Sequence, residues 1–161
     1  MDQALHDELR ARYEIYIDAF GESAVHSLSR SGHVDLSGLD FWQFPLFLIV
    51  GHPQLPVKFI PDLVTFQAFV TPSYKKLRED GWLGKGRISS FEVAAADDQM
   101  AIISVKGDRL NEQGAVLNSW DLSYLLVRRG GQWMQACVMD KGPNLPEPEE
   151  LYRWAHGLLS I

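Results

Sequence analysis

One cysteine, Cys137, is all the sequence contains, so it can form neither an intramolecular disulfide nor a cysteine-based zinc site. Set among apolar neighbours, that thiol reads as a small buried hydrophobe. Long apolar runs are missing too. The longest, residues 44–50, falls far short of the roughly 20 residues a membrane-crossing helix needs. Positive charge is scarce: 15 Lys and Arg stand against 21 Asp and Glu, a formal net charge of −6. The densest basic runs are Lys75-Lys76 with Arg78, and Arg128-Arg129. Phosphate surfaces demand larger clusters, so neither nucleic acid nor an anionic membrane is an expected partner. No Gly-x-Ser-x-Gly occurs, and the stretch 81–86 lacks the lysine and spacing of a phosphate loop or dinucleotide fingerprint. His26, His33 and His52 show no ligand pair at helical i, i+4 spacing, so neither a metal site nor a cofactor is expected. The acidic start, Met1-Asp2-Gln3, leads into an amphipathic segment rather than a signal peptide, and the expected location is cytoplasmic.

What is present suits one globular domain. Hydrophobic residues make up 46% and charged residues 22% of 161, enough for a core without disulfides or metals. The stretch 87–140 organises the chain. Strands are predicted at 87–96, 100–106, 115–128 and 132–139, with breaks at Asp97-Asp98, at 109–114 and at Gly130-Gly131. Apolar runs separated by such turns mark an antiparallel meander. The third strand alternates Trp120, Leu122, Tyr124 and Leu126 with Ser119, Asp121, Ser123, Leu125 and Val127. Both faces are at least half apolar, which predicts a central strand covered on both sides.

Before the meander the pattern is mainly helical. Leu5, Leu9, Tyr13, Tyr16, Ile17 and Phe20 form one stripe, so a helix is expected over 3–20, with Gly21 as its cap. A second helical stretch follows over 23–29, and a third piece capped by Asp35 runs to Trp42. Residues 44–50 and 56–60 read as a hairpin at a sheet edge, because Pro45 and Pro56 remove ladder donors. Pro61 and Asp62 open another helix carrying Leu63, Phe66, Val70 and Leu77. Pro72 either kinks it or lets it restart at Thr71, and Gly81 ends it. Residues 141–148 read as a linker, and 149–161 as an amphipathic helix with Leu151, Trp154, Leu158 and Leu159. The division is therefore a domain over 1–140 and a tail over 141–161, packed on that domain or on a partner.

Two motifs carry a resemblance. Tyr16-Ile17-Asp18-Ala19-Phe20 in the first helix, and Leu125-Leu126-Val127-Arg128-Arg129-Gly130-Gly131-Gln132-Trp133 at the closing hairpin, resemble the nuclear transport factor 2-like superfamily. The resemblance spans residues 5–140. It implies an α+β, cystatin-like cone in which a strongly bent antiparallel sheet wraps around N-terminal helices. That superfamily includes ketosteroid isomerases and SnoaL-like cyclases, and the fold hosts many chemistries. The implied function is binding of a small hydrophobic or aromatic molecule, with cofactor-independent acid–base catalysis as its enzymatic form. A non-catalytic, dimeric protein-interaction module is the alternative.

The resemblance points to Asp121 as a pocket acid. Counting back from Gly130-Gly131, Ser123 takes the position of the family's acid, and Asp121 lies two residues away on the same face. A carboxyl in an apolar pocket has its pKa raised and can act as general acid. The base the isomerases carry at the start of their first strand has no counterpart, since Phe44-Pro45-Leu46 stands there and Asp40 belongs to the preceding piece. Asp18, at the edge of the helical stripe, and His33, in the loop 32–38, complete the catalytic candidates. Tyr13, Tyr16, Trp42, Phe66 and Phe69 are expected to line an apolar cavity, with Ser123 as a polar anchor. Each of these aromatics also fits simple core packing. Trp120 and Tyr124, pointing away from Asp121, are expected at a homodimer interface on the outer sheet face.

Overall fold

Asp2 starts the first helix by accepting a hydrogen bond from the Ala4 N–H at 3.0 Å. The computed structural model describes residues 2–49 and 57–140. In chain order these form α1 (Gln3–Ser31), β1 (Trp42–Ile49), β2 (Val57–Ile60), α2 (Leu63–Glu79), β3 (Trp82–Ala96), β4 (Met100–Asn111), β5 (Val116–Arg129) and β6 (Gln132–Asp140). The expected C-terminal helix, His52, Trp154 and His156 lie outside the described residues.

The strands make one bent sheet in the order β2-β1-β6-β5-β4-β3. The meander of β3 to β6 is antiparallel throughout, as expected, and its turns follow from local chemistry. Asp97 Oδ1 accepts the Gln99 and Met100 N–H groups, both at 2.8 Å. Gly130 and Gly131, at φ 56° and 78°, make the two-residue turn that the twist of paired strands favours. One pairing departs from the expected all-antiparallel sheet: β1 runs parallel to β6, so the sheet is mixed. Pro45 consequently lies in an interior strand rather than at an edge. It is accommodated where the β1–β6 register slips between Trp42 and Phe47, next to a cis Phe44–Pro45 bond.

Three helical expectations change. α1 does not end at Gly21 but runs unbroken for 29 residues to Gly32, whose φ of 76° makes the cap. Gly21 is needed for another reason. α1 crosses β3 there, and a Cβ on Gly21 would overlap the Gly84 carbonyl oxygen. The piece expected to cap at Asp35 is only a turn, in which Asp35 Oδ1 accepts the Ser37 N–H at 2.9 Å. α2 does not restart at Thr71 but continues through Pro72, with the Thr71 hydroxyl bonded to the Gln67 carbonyl at 2.7 Å. Its cap is Asp62, which accepts the Thr65 N–H at 2.8 Å.

Side chains alternate across the sheet. One row, Leu48–Val138–Tyr124–Ile103–Val93, faces the helices; the next, Phe59–Phe47–Cys137–Leu125–Ile102, faces outward. The helix side holds two apolar clusters. Leu9 and Tyr13 pack on Ile103, Val105, Tyr124 and Leu126, while Phe20, Trp42, Phe66, Leu77 and Trp82 form the other. Tyr16 touches both. Trp120 and Tyr124 are therefore interior residues, 8% and 2% exposed, and not part of an outer interface.

Replacing Gly21 by alanine separates the two roles of that glycine. Helix propensity alone would stabilise the protein by about 1 kcal/mol. Overpacking against backbone that cannot rotate away costs about 1–3 kcal/mol. Gly21→Ala is expected to lower the urea midpoint; an unchanged or raised midpoint would contradict the crossing.

Candidate functional site

Between α1 and the β3–β5 half of the sheet lies a cavity of about 60 Å³, lined chiefly by Tyr13, Tyr16, Tyr74, Trp82, Arg109, Trp120 and Tyr124. Its floor depends on two glycines. A Cβ on Gly107 would overlap the Trp120 indole, and one on Gly86 would stand 3.2 Å from it. With no side chain at either place, the indole lies flat on its own sheet and leaves space above. Gly84 and Gly86 also border an open groove between α1 and β3, which carries Asp18, Glu22 and His26.

The polar groups of the cavity form a short chain. Trp120 Nε1 donates to Tyr13 Oη at 3.1 Å, and Tyr13 Oη shares a hydrogen bond with Tyr124 Oη at 2.8 Å. Two hydroxyl protons serve the single bond between the tyrosines, so one O–H remains over. Among the described residues no other acceptor takes it. Burial raises the pKa of Tyr13, Tyr16 and Tyr124 above the ordinary tyrosine value, so these hydroxyls stay protonated donors at neutral pH.

Arg109, half-buried on β4, supplies the charge. Its Nη2 donates to Tyr74 Oη at 2.8 Å and its Nη1 to Asn118 Oδ1 at 3.2 Å. The guanidinium also lies 5.2 Å from the Tyr74 ring centre and 5.0 Å from that of Trp120. Burial disfavours its charge, but the tyrosines around it, Tyr74 foremost, outweigh that and hold its pKa above the usual arginine value. Among the described residues no carboxylate lies within ion-pair distance of it.

The model of the family described as NTF2-like protein (DUF6841) matches residues 7–142. The chain belongs to this family. No curated protein matches it. Among solved structures, Aln2 from a Streptomyces species is 18% identical with a TM-score of 0.58, over 96% of this chain and 98% of that one. An NTF-2 like protein of unknown function from Shewanella oneidensis is 12% identical at 0.52, over 83% and 95%. The association domain of C. elegans CaMKII is 12% identical at 0.52, over 86% and 87%. At such identities the likeness establishes the NTF2-like fold and nothing finer.

Within this NTF2-like cone the candidate residues separate. Tyr13 and Tyr16 meet in the cavity. Trp42 and Phe66 pack together in the neighbouring core, ring centres 5.2 Å apart, and Phe69 sits under the Lys58 ammonium at 4.4 Å. Trp42 Nε1 and Gln135 Oε1, on cross-strand partners, are buried without a hydrogen-bond partner. Asp121 and Ser123 are on the outer face of β5. Ser123 bonds to the Ser104 hydroxyl at 2.9 Å; one Asp121 oxygen stands 3.8 Å from Lys106 Nζ, and the other is covered and unbonded. The pocket acid expected at Asp121 is thus on the wrong side of the strand, because a period of two alternates the faces without saying which is inner. Asp18 is in the open groove, and His33 is exposed beyond the end of α1.

Arg109, Tyr74 and the inward Trp120 and Tyr124 escaped the sequence reading. Residues 109–114 read as a turn from the sequence, yet Arg109 continues the inward series Ile103, Val105, Gly107 at period two, and that period is the signal that marks it. Tyr13→Phe should leave the Trp120 N–H and the Tyr124 O–H unsatisfied. At about 1–3 kcal/mol per buried orphan, the variant is expected to lose at least about 1 kcal/mol by urea denaturation, and more than Tyr16→Phe. Equal effects would contradict the network.

Proposed function

We propose that the interior of the cone is a small-molecule site, in which the spare hydroxyl proton of the Tyr13–Tyr124 pair binds a ligand oxygen. The observation that carries this reading is the proton count: a partly open aromatic cavity holds a donor that the protein itself does not use. Buried polar groups are nearly always satisfied, so an unused one beside open space favours an external partner. The volume restricts that partner. About 60 Å³ is well below the roughly 150 Å³ that accepts a benzene ring, so an aromatic body enters only if the walls move. The lining offers donors and, among the described residues, no carboxylate or imidazole. The chemistry it supports is binding and stabilisation of a negative oxygen rather than proton abstraction.

The test is the indole N–H region of the NMR spectrum, where the Trp120 resonance is assigned by Trp120→Phe. Small ketones, phenols, epoxides and carboxylates are titrated in turn. At least one is expected to shift the Trp120 signal and raise the melting temperature, as a ligand of the native state does. A Trp120 signal unmoved by every compound would count against the site.

A second copy of the chain is the partner this reading includes. The outer row of the sheet exposes Phe47 and Phe59, ring centres 5.6 Å apart, with Met100 and Ile102 further along the same face. Contiguous apolar surface of this kind favours association. Sedimentation velocity is expected to give a dimer that Phe59→Glu weakens; a monomer at all concentrations would oppose it.

A further inference from the structure

We infer that the cavity selects an anion, a small carboxylate whose oxygens lie between the Arg109 guanidinium and the Tyr13–Tyr124 hydroxyls. This rests on the reading of the cone as a small-molecule site and names the ligand class. Three observations carry it. First, Arg109 has five N–H donors and spends two of them, on Tyr74 and Asn118, both neutral. Second, the chain carries 21 acidic residues, yet none among those described forms an ion pair with Arg109. Arg10 pairs with Glu14, Arg87 with Asp108 and Arg128 with Glu8, whereas Arg12 and Arg78 spend their donors mainly on backbone carbonyls; Arg109 differs from both groups in facing a cavity. A half-buried cation without its counter-charge forgoes the interaction that most offsets its desolvation. Third, Arg109 lies over the rings of Tyr74 and Trp120 and is hydrogen-bonded through both terminal nitrogens, which orients its fork with no ligand present.

The size agrees. Scaled from the roughly 150 Å³ that accepts the six ring atoms of benzene, the cavity of about 60 Å³ holds about two or three non-hydrogen atoms. That is the scale of a carboxylate group, with the methyl or ethyl of acetate or propionate, or the rest of a longer molecule, lying at the open side of the cavity. A neutral amide of the same shape makes one less charge-assisted bond and presents an N–H₂ to a site that already has donors in excess. The cavity therefore discriminates by charge and by acceptor count together.

The experiment uses the wild-type chain with sodium acetate and sodium propionate against acetamide and propionamide, at matched ionic strength. Binding is read from the Trp120 indole resonance and the melting temperature. The carboxylates are expected to bind at least about tenfold more tightly than their amides, the scale of one hydrogen bond to a charged group. Arg109→Gln should remove that preference, while Arg109→Lys keeps part of it. Amides that bind as well as the acids, or an Arg109→Gln variant that keeps the preference, would overturn the assignment to an anion and leave the small-molecule site standing. Failure of all four probes overturns the anion as well. If neutral ketones, phenols and epoxides also leave Trp120 unmoved, the site itself fails. The comparison within the wild-type chain decides the matter even where an Arg109 variant does not fold.

Discussion

Everything in the interior depends on places where a side chain has no room. Helix α1 approaches β3 so closely at Gly21 and Gly84 that each glycine stands against the other's carbonyl oxygen. That approach lets Tyr13 and Tyr16 reach the inner sheet face. On the sheet itself, Gly86 and Gly107 leave bare backbone under the Trp120 indole. A side chain at Gly107 would overlap the indole where it lies, and one at Gly86 would crowd its edge. Four glycines thus fix the depth of the cone, the pose of its largest ring and the space above that ring.

The polar chemistry then follows from confinement. Trp120 brings its N–H to Tyr13, and Tyr13 meets Tyr124, so one phenolic proton has no acceptor. Arg109 enters from the neighbouring strand with only neutral partners. In water neither feature would matter. In an aromatic interior of low effective dielectric, an idle donor and an unopposed cation are both costly, and one ligand oxygen relieves both.

How far the sequence reveals this differs by element. The meander was legible because Asp97, Gly114 and the Gly130-Gly131 pair mark its turns by local chemistry, and the superfamily was legible from the closing hairpin. The end of the first helix was not, since Gly21 looks like a cap when only its neighbours are considered, and its real cause is a contact with Gly84, 63 residues away. The faces of β5 were equally hidden. Trp120 and Tyr124 alternate with Leu125 and Val127, and two apolar faces give a period of two no direction. Such a pattern singles out Asp121 on the outer face and passes over Arg109, which lines the cavity. Parallel pairing of β1 with β6 brings Trp42 beside Gln135, a juxtaposition no local pattern encodes.

The most direct test of the central claim is a high-resolution crystal structure of this chain grown without small organic acids. An interior with a spare phenolic proton and an unopposed guanidinium must hold solvent. The expected result is an ordered water or anion in the cavity, within hydrogen-bond distance of the Tyr13 or Tyr124 hydroxyl and close to Arg109. A dry, closed cavity, with that hydroxyl turned onto a protein acceptor and Arg109 paired to a carboxylate, would contradict the account.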